Sequence, residues 1–198
     1  MNAGRLQQSV ELLELVEVDG NFSWEVMRRS AAAVPKSKLS SQTLRSRFSA
    51  IGKTVEPIVL QLRRQPLTLN HAIRYKGQHC HLTKLYDEER IYLTVEAGIV
   101  RVETCQAYQS PEDPELLFPD GYEPDFSFPA AVTEKYGRWE EARPMSSNEL
   151  SLVLVVPKPV HLIPGRIVWV MGMPWEVRVP HEIGEHQNEY EVVRKADL

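Results

Sequence analysis

The sequence predicts a mainly β protein made of two small barrel or sandwich modules, with one short helix in an early loop. Three observations carry this. A strand–turn–strand unit is written twice, runs of alternating apolar residues are short and punctuated by turn residues, and a proline-rich acidic stretch divides the chain. The first copy of the unit is Pro66-Leu67-Thr68-Leu69, then Ala72-Ile73-Arg74-Tyr75-Lys76-Gly77, then Cys80-His81-Leu82. The second is Pro159-Val160-His161-Leu162, then Ile167-Val168-Trp169-Val170-Met171-Gly172, then Trp175-Glu176-Val177, with two extra residues around Pro164 and Gly165. An apolar alternating run, a one-glycine turn and a second alternating run make a hairpin buried on one face. Residues 1–107 form a first module with a basic loop at 35–53, 108–138 an acidic arm or linker, and 139–198 a second module.

The elements follow in order. Arg5 to Val18 alternates and then becomes dense in Leu and Val, which predicts one or two strands ending at Asp19-Gly20-Asn21, a turn signal. Trp24 to Val34 is a second extended stretch, stopped by Pro35. Ser40 or Ser41 caps a short helix over residues 41–51 that turns Leu44, Phe48 and Ile51 to one side, and Gly52 closes it. Ile58–Arg63, Ala72–Tyr75, His79–Leu85, Arg90–Val95 and Ile99–Glu103 are short strands, with turns at Asp87-Glu88-Glu89 and at Gly98. Gln109 to Pro129 holds five prolines and six acids with no base, and resists helix and strand alike. It also holds Leu117, Phe118, Tyr122, Phe126 and Phe128, more apolar surface than a linker needs. The stretch is therefore an arm that docks on its own body or on a neighbouring subunit through those five residues. From Glu149 onward the strand pattern returns.

Composition narrows the function classes. At 42% hydrophobic residues a buried core is expected, and no apolar run approaches the length of about 20 that spans a membrane. No signal-peptide core follows Met1, so secretion is not expected. Cys80 and Cys105 are the only cysteines, which fits a reducing compartment and builds neither a disulfide framework nor a cysteine zinc site. The net charge of −4 hides a partition: Val26 to Val55 holds seven basic residues and no acid, leaving the remainder at −11. Such a segment either meets an anionic partner or pairs with the acidic remainder of its own chain.

Catalytic and metal signals are weak. His79 and His81 share one face of a strand, a spacing that suits a shared metal, but no further ligand stands near, and two outward polar residues explain them as well. His181-Glu182-Ile183-Gly184-Glu185-His186 is not the zinc-protease helix motif: its histidines are five apart and Gly184 opposes a helix, so an acidic turn is expected. No phosphate-binding glycine loop, nucleophile elbow or supported Cys–His pair is present. The chain is expected to be no enzyme, with no cofactor and no metal. Trp24, Trp139, Trp169 and Trp175 are read as core residues rather than as base-stacking platforms.

From Gly4 to Cys105 the chain resembles the head-closure and head–tail adaptor proteins of tailed bacteriophages. The residues that carry this are Ala3-Gly4-Arg5-Leu6, Val10 and Leu12, Ser23-Trp24-Glu25 and Ala31-Ala32-Ala33-Val34 before the basic loop. After the loop come Leu60-Gln61-Leu62-Arg63-Arg64, Leu69-Asn70-His71-Ala72-Ile73-Arg74-Tyr75-Lys76-Gly77 and Leu82-Thr83-Lys84-Leu85. The resemblance implies a small β-barrel that assembles as a homo-oligomeric ring, twelve-fold by family analogy, between portal or adaptor protein and tail terminator or tail tube protein in the virion. It implies that the loop between early strands reaches the channel, where Lys36, Lys38, Arg45, Arg47 and Lys53 would face DNA. Family members are commonly about half this length, so residues 108–198 are covered only if the second copy of the repeat is a duplicated barrel. Two functions of different class follow: a non-catalytic head–tail connector assembled in the host cytoplasm, with no membrane contact, or a monomeric β-barrel module that binds nucleic acid or a host protein.

Overall fold

The computed structural model describes residues 6–35, 49–50, 52, 55–87, 90–108, 124–135, 150–182 and 184–194. The protein is all-β in these residues. Strands β1 (Gln8–Val18), β2 (Asn21–Ala33), β3 (Glu56–Arg63), β4 (Ala72–Tyr75), β5 (Gln78–Tyr86) and β6 (Tyr92–Val100) close a barrel in the order β1-β2-β3-β6-β5-β4. Strands β7 (Val102–Tyr108), β8 (Phe126–Glu134), β9 (Ser151–Pro157), β10 (Ile167–Val170), β11 (Met173–His181) and β12 (Gln187–Arg194) close a second in the order β7-β8-β9-β12-β11-β10. The two circuits are the same. Closure leaves no edge along a fully paired strand, which is how a small antiparallel fold protects its backbone.

The repeated unit occupies the same place in both circuits, as β4–β5 and as β10–β11. Each hairpin turns on two successive residues with positive φ, Lys76 and Gly77 at 50° and 79°, Met171 and Gly172 at 51° and 76°. That is the twist a two-residue hairpin needs to match its strands. Each second strand then shifts register at one place, between Leu82 and Lys84 and between Val177 and Val179. The β1–β2 turn uses the same device at Asp19 and Gly20, with φ of 50° and 78°.

Alternation fills each interior. In the first barrel Val10, Leu12, Leu60, Leu62, Ile73 and Cys80 belong to one buried cluster, and Leu67 closes over it from the loop after β3. In the second, Phe128, Leu154, Val168, Trp175, Val177 and Tyr190 form the core, with Val160 and Leu162 from the loop after β9. Fourteen and thirteen buried residues respectively line the second and the first core; fully burying a side chain of this kind contributes on the order of 1.5–3 kcal/mol.

Several sequence expectations change. The compact units divide after Arg101, not after residue 107. Of the described residues, 6–16, 24–35, 49–50, 55–87 and 90–101 form the first unit, while 17–23, 52, 102–108, 124–135, 150–182 and 184–194 form the second. The second module therefore begins with β7 rather than at residue 139. Gly98 marks no turn. It lies within β6, opposite Pro57 on one side and His81 on the other, and the strand ends only at Val100. The end of the proline-rich stretch is a strand: Phe126 to Pro129 open β8, where Pro129 faces Thr104 of β7. Pairing of β8 with β9 starts only at Ala131, so the missing Pro129 N–H falls where it interrupts no β8–β9 bond. The expected helix over 41–51 falls almost wholly outside the described residues.

Candidate nucleic-acid interface

The first barrel holds a basic groove where two of its strands part. β2 and β3 are joined at Ala32–Leu62 and Ala33–Gln61. Before that point β2 runs through Glu25, Val26, Met27, Arg28 and Arg29, all exposed, although alternate residues of a strand point to opposite faces. Neither face of this stretch is covered, which is why arginine is tolerated at consecutive positions. β3 likewise ends at Arg63 and is followed by Arg64, both exposed. Arg28, Arg29 and Ser30 on one side and Arg63, Arg64 and Gln65 on the other line a groove of about 400 Å³. Gln65 Nε2 donates to Ser30 Oγ at 3.3 Å, tying the two walls together.

The four arginines are not equivalent. Arg29 Nε meets Glu11 Oε1 at 3.2 Å, and Glu11 also accepts from Arg74 Nη1 at 3.0 Å. Arg64 Nη2 meets Asp87 Oδ2 at 2.5 Å. Arg28 and Arg63 have no carboxylate partner among the described residues. The groove thus holds two guanidinium groups fixed by acids from outside it and two that no described carboxylate meets. Guanidinium groups present paired N–H donors that match phosphate or carboxylate oxygens.

Lys36, Lys38, Arg45, Arg47 and Lys53, expected to face DNA, lie outside the described residues, as do Leu117, Phe118 and Tyr122. β2 leads directly into the segment that carries those five cations. Phe128 is corrected: it is fully buried in the core of the second barrel and has no surface to offer a subunit. Phe126 packs at the edge of the same core, 5.7 Å from Phe128 and edge-on to Phe22 at 6.4 Å, with the Arg166 guanidinium 5.5 Å from its ring. Their alternation continues the β8 pattern, so the barrel itself takes the surface that was assigned to a neighbour.

The other sequence candidates are part of the scaffold. His79 packs with its ring centre 5.4 Å from that of Trp24, tilted by 55°; burial above all, then His81 and Arg74, drives its pKa from 6.5 down to about 3. No group of three metal-ligating side chains occurs among the described residues. Burial pushes the Cys80 thiol up to about 11 and the Cys105 thiol up to about 12, so neither is a ready nucleophile. His181 ends β11 and meets Glu191 at 3.1 Å, and the described residues Glu182 and 184–186 lie between β11 and β12 outside any strand, where an acidic turn was expected. Trp175 is a core residue and Trp24 and Trp169 are half-buried, while Trp139 lies outside the described residues.

The second barrel holds a polar lock. The Tyr190 hydroxyl accepts from the Leu162 amide at 3.1 Å and donates to Glu182, and Asn188 Nδ2 donates to the carbonyls of Lys158 and Val160 at 3.0 Å each. These bonds pin the loop 158–162 across the barrel. The groove arginines themselves carried a signal in the sequence, two adjacent Arg-Arg pairs, one within a strand and one at a strand end, but nothing local shows that the two pairs converge. No family model, curated protein or solved structure matches the chain.

Proposed function

We propose that the chain is a non-catalytic head–tail connector of a tailed phage virion, forming a ring between portal and tail and holding or conducting DNA. The observation that carries this reading is the arginine groove on the first barrel, set on the strand that leads into the basic segment 35–53. The same barrel bears the connector resemblance. The doubled circuit of strands fits it too, since a family member of half this length corresponds to one barrel. Each chain then supplies two barrels, so a ring of twelve barrels takes six chains, and the twelve-fold ring of the family analogy takes twelve.

The experiment joins mass and particles. Native mass spectrometry of the chain assembled on its portal gives the ring number. Changing Lys36, Lys38, Arg45, Arg47 and Lys53 to Gln is expected to yield particles that lose packaged DNA. Full retention of DNA together with a strictly monomeric chain in the particle-free and portal-bound states would sink the connector reading. It would favour the monomeric nucleic-acid-binding module, for which the same groove serves.

A further inference from the structure

We propose that the groove between β2 and β3 is a second, built-in contact for the phosphodiester backbone of nucleic acid, with Arg28 and Arg63 as the phosphate-binding cations. It takes from the connector reading only the choice of nucleic acid as the polyanion. The geometry gives the rest.

A polyanion site needs positive charge that is not already spent. Arg29 and Arg64 are held by Glu11 and Asp87, while Arg28 and Arg63, on opposite walls, have no such partner among the described residues. The groove walls carry no carboxylate of their own. The two fixed arginines shape the walls and keep the free ones from collapsing onto the acids, because Glu11 and Asp87 are already engaged. Opposed cations suit a ligand with repeated negative groups, such as successive phosphates, better than one small anion. β2 and β3 share no ladder bond beyond Ala32–Leu62, so the groove opens where the sheet would otherwise fill it. Phosphate contacts of this type carry no base information and fix register and orientation only. The groove therefore predicts binding that is indifferent to sequence and steep in salt.

The test uses the full chain and a pair of unrelated DNA duplexes, with binding followed by fluorescence anisotropy across a salt series. Arg28→Gln with Arg63→Gln should weaken binding to both duplexes equally, by roughly ten- to a hundred-fold near 0.1 M salt. It should also flatten the slope of log K against log salt by about two, one per phosphate contact. Arg178→Gln with Arg194→Gln removes the same charge from the second barrel and should change the slope little. Arg28→Lys with Arg63→Lys should restore the slope, which separates charge from fold, and both side chains are exposed, so the melting temperature should hold. The proposal fails if the groove and control variants behave alike, if the wild-type chain binds neither duplex, or if polyglutamate binds as tightly and loses affinity in the same variant. That last result would assign the groove to an acidic protein. Ring mass and DNA retention in particles test the connector reading and do not enter this measurement, so each idea can fall alone.

Discussion

The two barrels close by the same circuit and differ most where β2 and β8 begin to leave their neighbours. Matching the ladders of β3 with β6 and β9 with β12 sets Leu62 against Val156 and hence Ala32 against Ala130. Arg28, Arg29 and Ser30 then stand where the second barrel has Phe126, Ser127 and Phe128. In one barrel this stretch is exposed and cationic; in the other Phe128 is fully buried and Phe126 packs beside it. The difference teaches that the circuit of strands, the two-residue turns and the register shift are what the two halves share, while one stretch of strand is free to become either buried core or exposed basic surface.

The largest expected effect tests this contrast directly. Phe128→Ala should cost about 3–5 kcal/mol, since it empties a fully buried site. Ser30→Ala at the matching position should cost less than about 1 kcal/mol, losing only the bond from Gln65. Hydrogen exchange read amide by amide would locate the Phe128→Ala loss in β7–β12. Comparable losses at both positions would break the comparison, and a silent Phe128→Ala would return that residue to the surface role the sequence suggested.

Acid should also part the barrels. An unfolded histidine takes its proton near 6.5, whereas burial holds His79 neutral down to about 3. The stability tied to the neutral ring is present above 6.5 and is lost as pH falls toward 3, about 2 kcal/mol of it by pH 5. The second barrel responds later. The hydrogen bond from Tyr190, helped by His161 and Lys158, holds Glu182 below its ordinary 4.5. Glu191 is also lowered, because Lys135 and His181 outweigh the opposing effect of its burial. Both carboxylates stabilise above 4.5 and lose that contribution only below it. Exchange protection should therefore fail first in β4–β6, and His79→Gln should flatten the limb between pH 6.5 and 5. Loss beginning in the second barrel would contradict the assignment.

Local chemistry was readable and convergence was not. The β4 span, the Asp19-Gly20 turn and both hairpin turns follow from residues within a few positions of one another, because positive φ and strand alternation are local demands. Gly98 misled because a glycine in a strand is as compatible with close backbone neighbours as with a turn, and only the Pro57 and His81 pairings decide it. Phe126 to Pro129 is hidden in the sequence because proline opposes a strand only where its N–H is needed, and β8 has no β9 partner at Pro129. The Arg28-Arg29 and Arg63-Arg64 pairs lie far apart in sequence, and they come together only because β2 and β3 pair antiparallel in the register that sets Ala32 opposite Leu62. The all-β class survived these errors because it rested on many short segments rather than on any one.

The smallest expected effect concerns the matched turns. Lys76 and Met171 hold φ of 50° and 51° beside Gly77 and Gly172, a conformation that costs an ordinary side chain on the order of 1–2 kcal/mol and that asparagine tolerates better. Met171 is 47% exposed, so little packing is lost when it is replaced. Met171→Asn should accordingly stabilise the second barrel by roughly 0.5–1 kcal/mol. Lys76 differs in one respect: its ammonium sits 5.2 Å from the centre of the Tyr75 ring. A cation over an aromatic face is worth about 0.5–1 kcal/mol at an exposed site, so Lys76→Asn should be close to neutral. Lys76→Gln, which removes the charge and keeps the strained backbone, should destabilise by about the same amount. Thermal melting of the three variants separates strain from ring contact. If Lys76→Asn gains as much as Met171→Asn, the contact with Tyr75 contributes nothing, and the two turns are equivalent in energy as well as in shape.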